Sequence, residues 1–200
     1  MGIAQEYAEY ATMCERAMEH VKTSIYDYLA EIELTGARSP IDSVESRVKS
    51  YESIREKCQK KKIRFTIDNI RNNIHDVAGI RIVTLFEDDI FKVAEAIKTR
   101  LRLNTIIIKD YVSEPKDNGY RSLHLLVQRE LYFNGQTSTV SVEIQIRSKA
   151  MDLWASIEHG ISYKGNNVTP EIKNQFKELA NFLAQFDANA ITLRDSTNTN

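Results

Sequence analysis

Cysteine, proline and glycine are all scarce in this chain of 200 residues, which has two, three and seven of them. Cys14 and Cys58 lie 44 positions apart and neither belongs to a C-x-x-C pair. They cannot build a cysteine-rich zinc site between them, and they make no disulfide framework. Two reduced, buried thiols are expected. So little proline and glycine excludes a collagen-like or low-complexity chain. No window approaches the ~20 apolar residues of a membrane span. The first 20 residues carry Glu6, Glu9, Glu15 and Glu19, unlike a secretory signal or transit peptide. Met1-Gly2 could open a myristoylation signal, but Glu6 stands where that signal needs Ser or Thr. A cytoplasmic protein is expected. Net charge is nearly absent too, with 27 Lys plus Arg against 28 Asp plus Glu. That balance excludes a uniformly cationic nucleic-acid binder and leaves local patches open.

What is present is a globular composition, 42% hydrophobic and 28% charged, long enough to bury a core without disulfides. Ile3, Tyr7, Tyr10, Cys14, Met18, Val21, Ile25, Tyr28 and Ile32 recur by threes and fours. This predicts one helix of about 30 residues, ended by Gly36 and Pro40. Residues 1–33 hold seven acids and two bases. The stripe fits a helix lying across its own domain and equally one pairing with a second subunit. A second helix is predicted after Pro40, capped by Asp42 or Ser43, with Val44, Val48, Tyr51, Ile54 and Cys58 inward. Residues 47–64 hold eight bases and two acids. On that helix Lys49, Ser53 and Lys57 would share one face with Arg47 at its edge, as a solvated face or an anion site.

From residue 79 the period changes. Strands are predicted at 79–85, 104–112, 121–131 and 138–147, with a helix at 88–100 and a hairpin at Asn134-Gly135. Helices at 148–163 and 170–193 follow, the latter with Thr169 and Pro170 at its start and a stripe of Ile172, Phe176, Leu179, Leu183 and Phe186. The end after Asp195 reads as a frayed tail. The pattern is a mixed sheet flanked by helices, an α+β organisation. It divides into an N-terminal helical extension (1–36), a sheet domain (37–165) and a C-terminal helix and tail (166–200).

Three segments carry candidate chemistry. In Ser141-Val-Glu-Ile-Gln-Ile-Arg147 alternation puts Glu143, Gln145 and Arg147 on one face, either an exposed surface or the lining of a cleft. His75-Asp76-Val-Ala-Gly-Ile-Arg81 sets an acid just before a strand. One carboxylate from here and Glu143 would suit Mg²⁺ with phosphate oxygens. A metal phosphohydrolase would need several histidines, and His20, His124 and His159 are not grouped to supply them. Lys116-Asp-Asn-Gly-Tyr-Arg-Ser-Leu-His124 places an aromatic ring among cations after a tight turn, which suits a nucleobase carrying phosphates or a plain charged hairpin.

In this order the segments resemble the synthetase domain of the RelA/SpoT family, which makes guanosine tetra- and pentaphosphate. The resemblance runs from Arg47 to about Lys164. It includes R-x-K-x-x-x-S-x-x-x-K as Arg47, Lys49, Ser53 and Lys57, and H-D-x-x-G-x-R as His75 to Arg81. The Lys116–His124 block, E-I-Q-I-R from Glu143 to Arg147, Trp154-Ala155, Glu158-His159 and Tyr163-Lys164 complete it. It implies a nucleotidyltransferase-like sheet and transfer of pyrophosphate from ATP to the 3′-hydroxyl of GDP or GTP, with AMP leaving. Asp76 and Glu143 would hold Mg²⁺, Glu143 also serving as base. Arg47 and Arg81 would sandwich adenine, while Lys49, Ser53 and Lys57 would hold ATP phosphates. Tyr120 would stack on guanine, and Lys109, Lys116, Asn118, Arg121, His124, Gln145 and Ala155 would position the acceptor.

The length implies a stand-alone small synthetase without a hydrolase domain. Small members of the family are typically homotetramers, so a homo-oligomer is expected, with no membrane partner. The competing class is an inactive module that binds guanosine nucleotides or RNA, and retention of Asp76 and Glu143 argues against it.

Overall fold

The computed structural model describes residues 2–100, 103–133, 135–164 and 169–197. Its elements are α1 (Ile3–Leu34), β1 (Ile41–Val48), α2 (Tyr51–Lys61), α3 (Ile67–Asn73), β2 (Ala78–Thr84) and α4 (Glu87–Thr99). Then come β3 (Asn104–Asp110), β4 (Leu123–Phe133), β5 (Gln136–Ser148), α5 (Lys149–Lys164) and α6 (Pro170–Thr197). The five strands form one mixed sheet in the order β1-β2-β5-β4-β3, in which only β2 and β5 run parallel. This is the α+β sheet with long terminal helices that the sequence predicts.

The α1 stripe of Tyr7, Tyr10, Cys14, Met18, Val21, Ile25 and Tyr28 is buried, and from Tyr7 to Ile25 it joins Ile80, Ile82, Ile144 and Ile146 of the central strands in one core. α4 adds Ile90, Val93, Ala94 and Ile97 to the same cluster. The stripe packs α1 along its own sheet. Thr35 caps the helix and Gly36 follows at φ +70°, a left-handed position that favours glycine. Cys14 and Cys58 are buried free thiols.

The second predicted helix is corrected. Ile41–Val48 is a strand, antiparallel to β2, and the helix begins only at Tyr51. Its cap is Ser50, whose hydroxyl accepts from the Ser53 amide, and neither Asp42 nor Ser43. A spacing of four is one helical turn and also two strand repeats, so Val44 and Val48 satisfy both periods. Pairing with β2 decides for the strand. The short α3, capped by Thr66, went unpredicted although Ile67, Ile70 and Ile74 carry helical spacing.

α5 and α6 pack on each other around a second small cluster. Trp154 is buried there with Phe176 and Ala180, and its indole N–H donates to the Phe176 carbonyl at 2.8 Å. Phe186, predicted on the inner stripe, is exposed; its neighbour Asp187 is buried instead. The last helix also runs beyond Leu193, to Thr197. Arg194 secures this end, reaching Asp88 at 2.8 Å and lying over the Phe86 ring at 4.7 Å. The rest of the predicted tail, and Asn134 of the hairpin, lie outside the described residues.

Candidate active site

The polar face of the sheet is built by register. One row crosses all five strands as Glu45, Arg81, Gln145, His124 and Lys109. The row beside it reads Arg47, Gly79, Glu143, Leu126 and Ile107. Residues of one row share a face, so sheet pairing alone assembles polar groups that are up to 100 positions apart in sequence. Glu143 thus stands between a residue with no side chain and a leucine, among charged neighbours one row away. The strand face left open by its alternation is a cleft lining.

That cleft, about 280 Å³, is lined by Glu45, Arg47, Lys49, Asp76, Gly79, Arg81, Glu143 and Gln145 among others. A smaller pocket next to it is lined by His75, Ile107, Lys109, His124, Leu126 and again Glu143. Glu143 borders both.

Asp76 precedes β2 and is gripped from two sides. Lys49 Nζ donates to Asp76 Oδ2 at 2.9 Å and to the Asp76 carbonyl at 2.8 Å. Lys57 Nζ donates to the same Oδ2. Burial alone would raise the Asp76 pKa, but hydrogen bonds from Lys57 and Lys49 outweigh it and bring it down to about 2. The other oxygen, Oδ1, is buried with no protein partner. Lys49 leaves the end of β1, not a helix, and Lys57 lies on α2. The two converge on Asp76 from different elements instead of sharing a helical face. Tyr7 of α1 fixes the approach, its hydroxyl donating to the Lys49 carbonyl at 2.6 Å. Ser53 is exposed in the first turn of α2 and bonds to Ser50, outside the cleft lining.

Glu143 is also held by donors. His124 Nδ1 lies 3.2 Å from Oε1, and the Gln145 amide donates to Oε2 at 2.8 Å. Burial pushes its pKa up, and the His124 and Gln145 hydrogen bonds more than compensate, so it lies below the usual glutamate value. Arg81 has Glu45 at 3.4 Å and Asp152 at 3.5 Å. Arg47 is exposed at the cleft rim.

The Lys116–His124 block folds as a turn against α6. Asn118 Oδ1 accepts from the Tyr120 amide at 3.2 Å, so this side chain shapes the turn. Gly119, at φ +92°, passes so close to α6 that a Cβ there would sit 2.6 Å from Ala180 Cβ. Lys116 Nζ hangs 4.6 Å over the Tyr111 ring and 4.7 Å over that of Tyr120. Tyr120 Oη lies 2.8 Å from His124 Nε2. Arg121 is turned away, paired with Glu87 of α4 at 2.9 and 3.0 Å and with the Val112 carbonyl. Ala155 packs at the edge of the Trp154 cluster beside Tyr120.

The structure therefore brings Asp76, Lys49, Arg47, Arg81, Glu143, Gln145, His124 and Lys109 to one face. It sets Ser53, Asn118, Arg121 and Ala155 in supporting places. Sequence reasoning passed over two residues here, Glu45 and Asp152, and put Arg147 on the polar face without giving it a role. Glu45 becomes legible only when β1 is read as a strand, and Asp152 acts by contacts that no spacing encodes. Among the described residues no group of three or more His, Cys, Asp or Glu is clustered for a metal, and no helix is long and apolar enough to cross a membrane.

Comparison with known proteins agrees with this geometry. Residues 46–168 match the model of a region found in RelA and SpoT proteins. GTP pyrophosphokinase YwaC of Bacillus subtilis (strain 168) is 37% identical over 179 residues, 89% of this chain and 85% of that protein. GTP pyrophosphokinase YjbM of the same organism is 32% identical over 191 residues, 95% of this chain and 89% of that one. The crystal structure of small alarmone synthetase 1 from Bacillus subtilis, bound to its product pppGpp, superposes with a TM-score of 0.88 at 31% identity, covering 97% of this chain and 99% of that one. With its family model, relatives of similar length and matching fold in agreement, this chain belongs to the RelA/SpoT family.

Proposed function

We infer that this chain is a GTP pyrophosphokinase that transfers pyrophosphate from ATP to the 3′-hydroxyl of GDP or GTP and makes (p)ppGpp. The observation that carries the mechanism is the place of Glu143, one carboxylate bordering two adjoining pockets. The larger, with Arg47, Lys49 and Arg81, takes ATP: planar guanidinium groups suit the adenine and the ammonium suits phosphate oxygens. Lys57 supports this side through Asp76. The smaller, with Lys109 and His124, takes the 3′ side of the acceptor ribose, and Tyr120 and Lys116 lie beyond it for the base and 5′ phosphates.

At that junction Glu143 accepts the proton of the 3′-hydroxyl. The 3′ oxygen forms a bond to the β-phosphorus, the bond from that phosphorus to the α-phosphate oxygen breaks, and AMP departs. Asp76 and Glu143 would together hold Mg²⁺, and the fit rests on Asp76 Oδ1, a buried carboxylate oxygen that no protein group satisfies. Bound there, the ion would neutralise charge on the phosphate oxygens. Lys49 and Lys57 hold Asp76 ionised and fixed for that role. We place the reaction in the cytoplasm. We also propose a homotetramer, supported by Phe182, Phe186 and Leu193 standing 69%, 58% and 69% exposed on α6.

Glu143→Gln tests the assignment of the base. It should reduce turnover by at least about 10²-fold while equilibrium binding of ATP stays within about threefold, since a positioned base supplies that order of rate. Normal turnover by this variant would remove Glu143 from the mechanism.

A further inference from the structure

Arg147 lies on β5 two residues beyond Gln145 and takes no part in the chemistry above. Its side chain is buried, and Asp152 of α5 anchors its Nη1 at 3.2 Å. Its Nη2 donates twice, to the Tyr120 hydroxyl at 2.8 Å and to the Gln145 amide oxygen at 2.9 Å. A guanidinium has donors only, so each of these bonds fixes the polarity of the group that receives it.

Consider the two branches. The Tyr120 oxygen accepts from Arg147, so its single proton goes to its other partner, His124 Nε2, 2.8 Å away. Nε2 is then an acceptor and the ring hydrogen sits on Nδ1, facing Glu143 Oε1 at 3.2 Å. On the second branch the Gln145 carbonyl is taken by Arg147, which turns the amide NH₂ toward Glu143 Oε2 at 2.8 Å. Both branches start on one guanidinium nitrogen. They end on the two oxygens of one carboxylate, and both arrive as donors.

We propose that Arg147 is the positioning residue of this site, setting the sense of both branches and so holding the Glu143 carboxylate in one orientation. Without it the Gln145 amide is free to flip and the His124 ring to exchange tautomers, and either change aims a lone pair at the carboxylate. Asp152 extends the arrangement, because it also lies 3.5 Å from Arg81 Nε at the ATP side of the cleft. The inference rests on Glu143 being the base.

The experiment compares Arg147→Met, Arg147→Lys and Tyr120→Phe with wild type and Glu143→Gln, at one pH. The readouts are kcat, KM for each nucleotide, and the ¹⁵N NMR signals of the His124 ring. Arg147→Met is expected to lower kcat about 10²-fold with both KM values within about threefold, the scale at which a misplaced catalytic group costs rate. Lysine at this position restores part of the loss. Tyr120→Phe keeps the ring, cuts one branch and costs about tenfold, and adding it to Arg147→Met costs little more because that branch is already broken. His124 carries its hydrogen on Nδ1 in wild type and shows mixed tautomers in both variants.

A raised KM with unchanged kcat in Arg147→Met, or a wild-type tautomer there, overturns the proposal. Should Arg147→Met fail to fold, Tyr120→Phe decides alone, with wild-type kcat and tautomer as the contrary result. Full activity of Glu143→Gln would instead defeat the assignment of the base, while the tautomer still decides whether Arg147 sets the geometry.

Discussion

Glu143 and Asp76 show how little of a side chain's role is intrinsic to it. Both are partly buried carboxylates, a situation that ordinarily raises the pKa, and in both the donors around them reverse the sign. For Asp76 those donors are two lysines. Lys57→Met removes one of them and leaves the other to hold the carboxylate in place. The expected result is a KM for ATP raised about 5–20-fold with a smaller effect on the guanosine nucleotide, since a charge-assisted hydrogen bond contributes about 1.5–3 kcal/mol before its partner compensates. Steady-state kinetics with each nucleotide varied in turn checks this. An equal rise in both KM values would place Lys57 elsewhere in the mechanism.

At the scale of elements, the contacts that steady the site come from helices packed around the sheet edge. Asp187 of α6 is buried 2.5 Å from the hydroxyl of Ser148, which donates to it and caps α5 by accepting from the Met151 amide. Burial pushes the Asp187 pKa up to about 6, with the Ser148 hydrogen bond and Arg121 opposing and Glu87 adding to the rise. A folded-state value above the unfolded one means that protonation favours folding. Its contribution is fully present below about pH 4 and is lost as pH rises through about 6. Asp187→Asn keeps an acceptor for Ser148 and carries no charge. It should stabilise the protein at pH 7 by about 1–3 kcal/mol and have little effect at pH 4, as urea denaturation at the two values would show.

Gly119 couples α6 to the turn below Tyr120 by close approach. Gly119→Ala combines a positive φ with a contact of 2.6 Å to Ala180. It is expected to cost about 1–3 kcal/mol and to raise the KM for the guanosine nucleotide, because the turn must move. Thermal unfolding and kinetics of the same variant check the two effects separately.

The strands of this face were legible because Val142, Ile144 and Ile146 alternate cleanly with Glu143, Gln145 and Arg147. β1 was not legible, since a four-residue apolar spacing fits both periods and its partner strand lies 30 positions away in sequence. On α6 the stripe of Ile172, Phe176, Leu179 and Leu183 faces inward as its spacing predicts, and it fails only at Phe186. Phe186 and Asp187 exchange the places their polarity suggests, because Ser148 and the α5 cap supply a partner that the local sequence does not reveal. For the same reason the pairing of Arg121 with Glu87 cannot be read from the sequence around Tyr120.

For the whole molecule, a formal charge of −1 conceals separation. The acids Glu6, Glu9, Glu15 and Glu19 of α1 are exposed, while Arg47 and Lys49 line the cleft and Lys57 reaches Asp76 at its wall. Neutrality overall and a local anion site are therefore compatible. The exposed apolar side chains of α6 belong to this scale as well. Light scattering at micromolar concentration is expected to give a tetramer, and Phe182→Glu with Phe186→Glu a smaller species; a wild-type monomer would remove assembly from the account.

The measurement that bears most directly on the central claim is the fate of the ATP β-phosphorus. Purified protein is incubated with Mg²⁺, β-labelled ATP and GDP or GTP, and the products are separated. The label is expected in a guanosine nucleotide carrying a 3′ pyrophosphate, with one AMP formed for each. Label remaining in ADP or free phosphate, with no 3′-modified guanosine nucleotide from either acceptor, would contradict it.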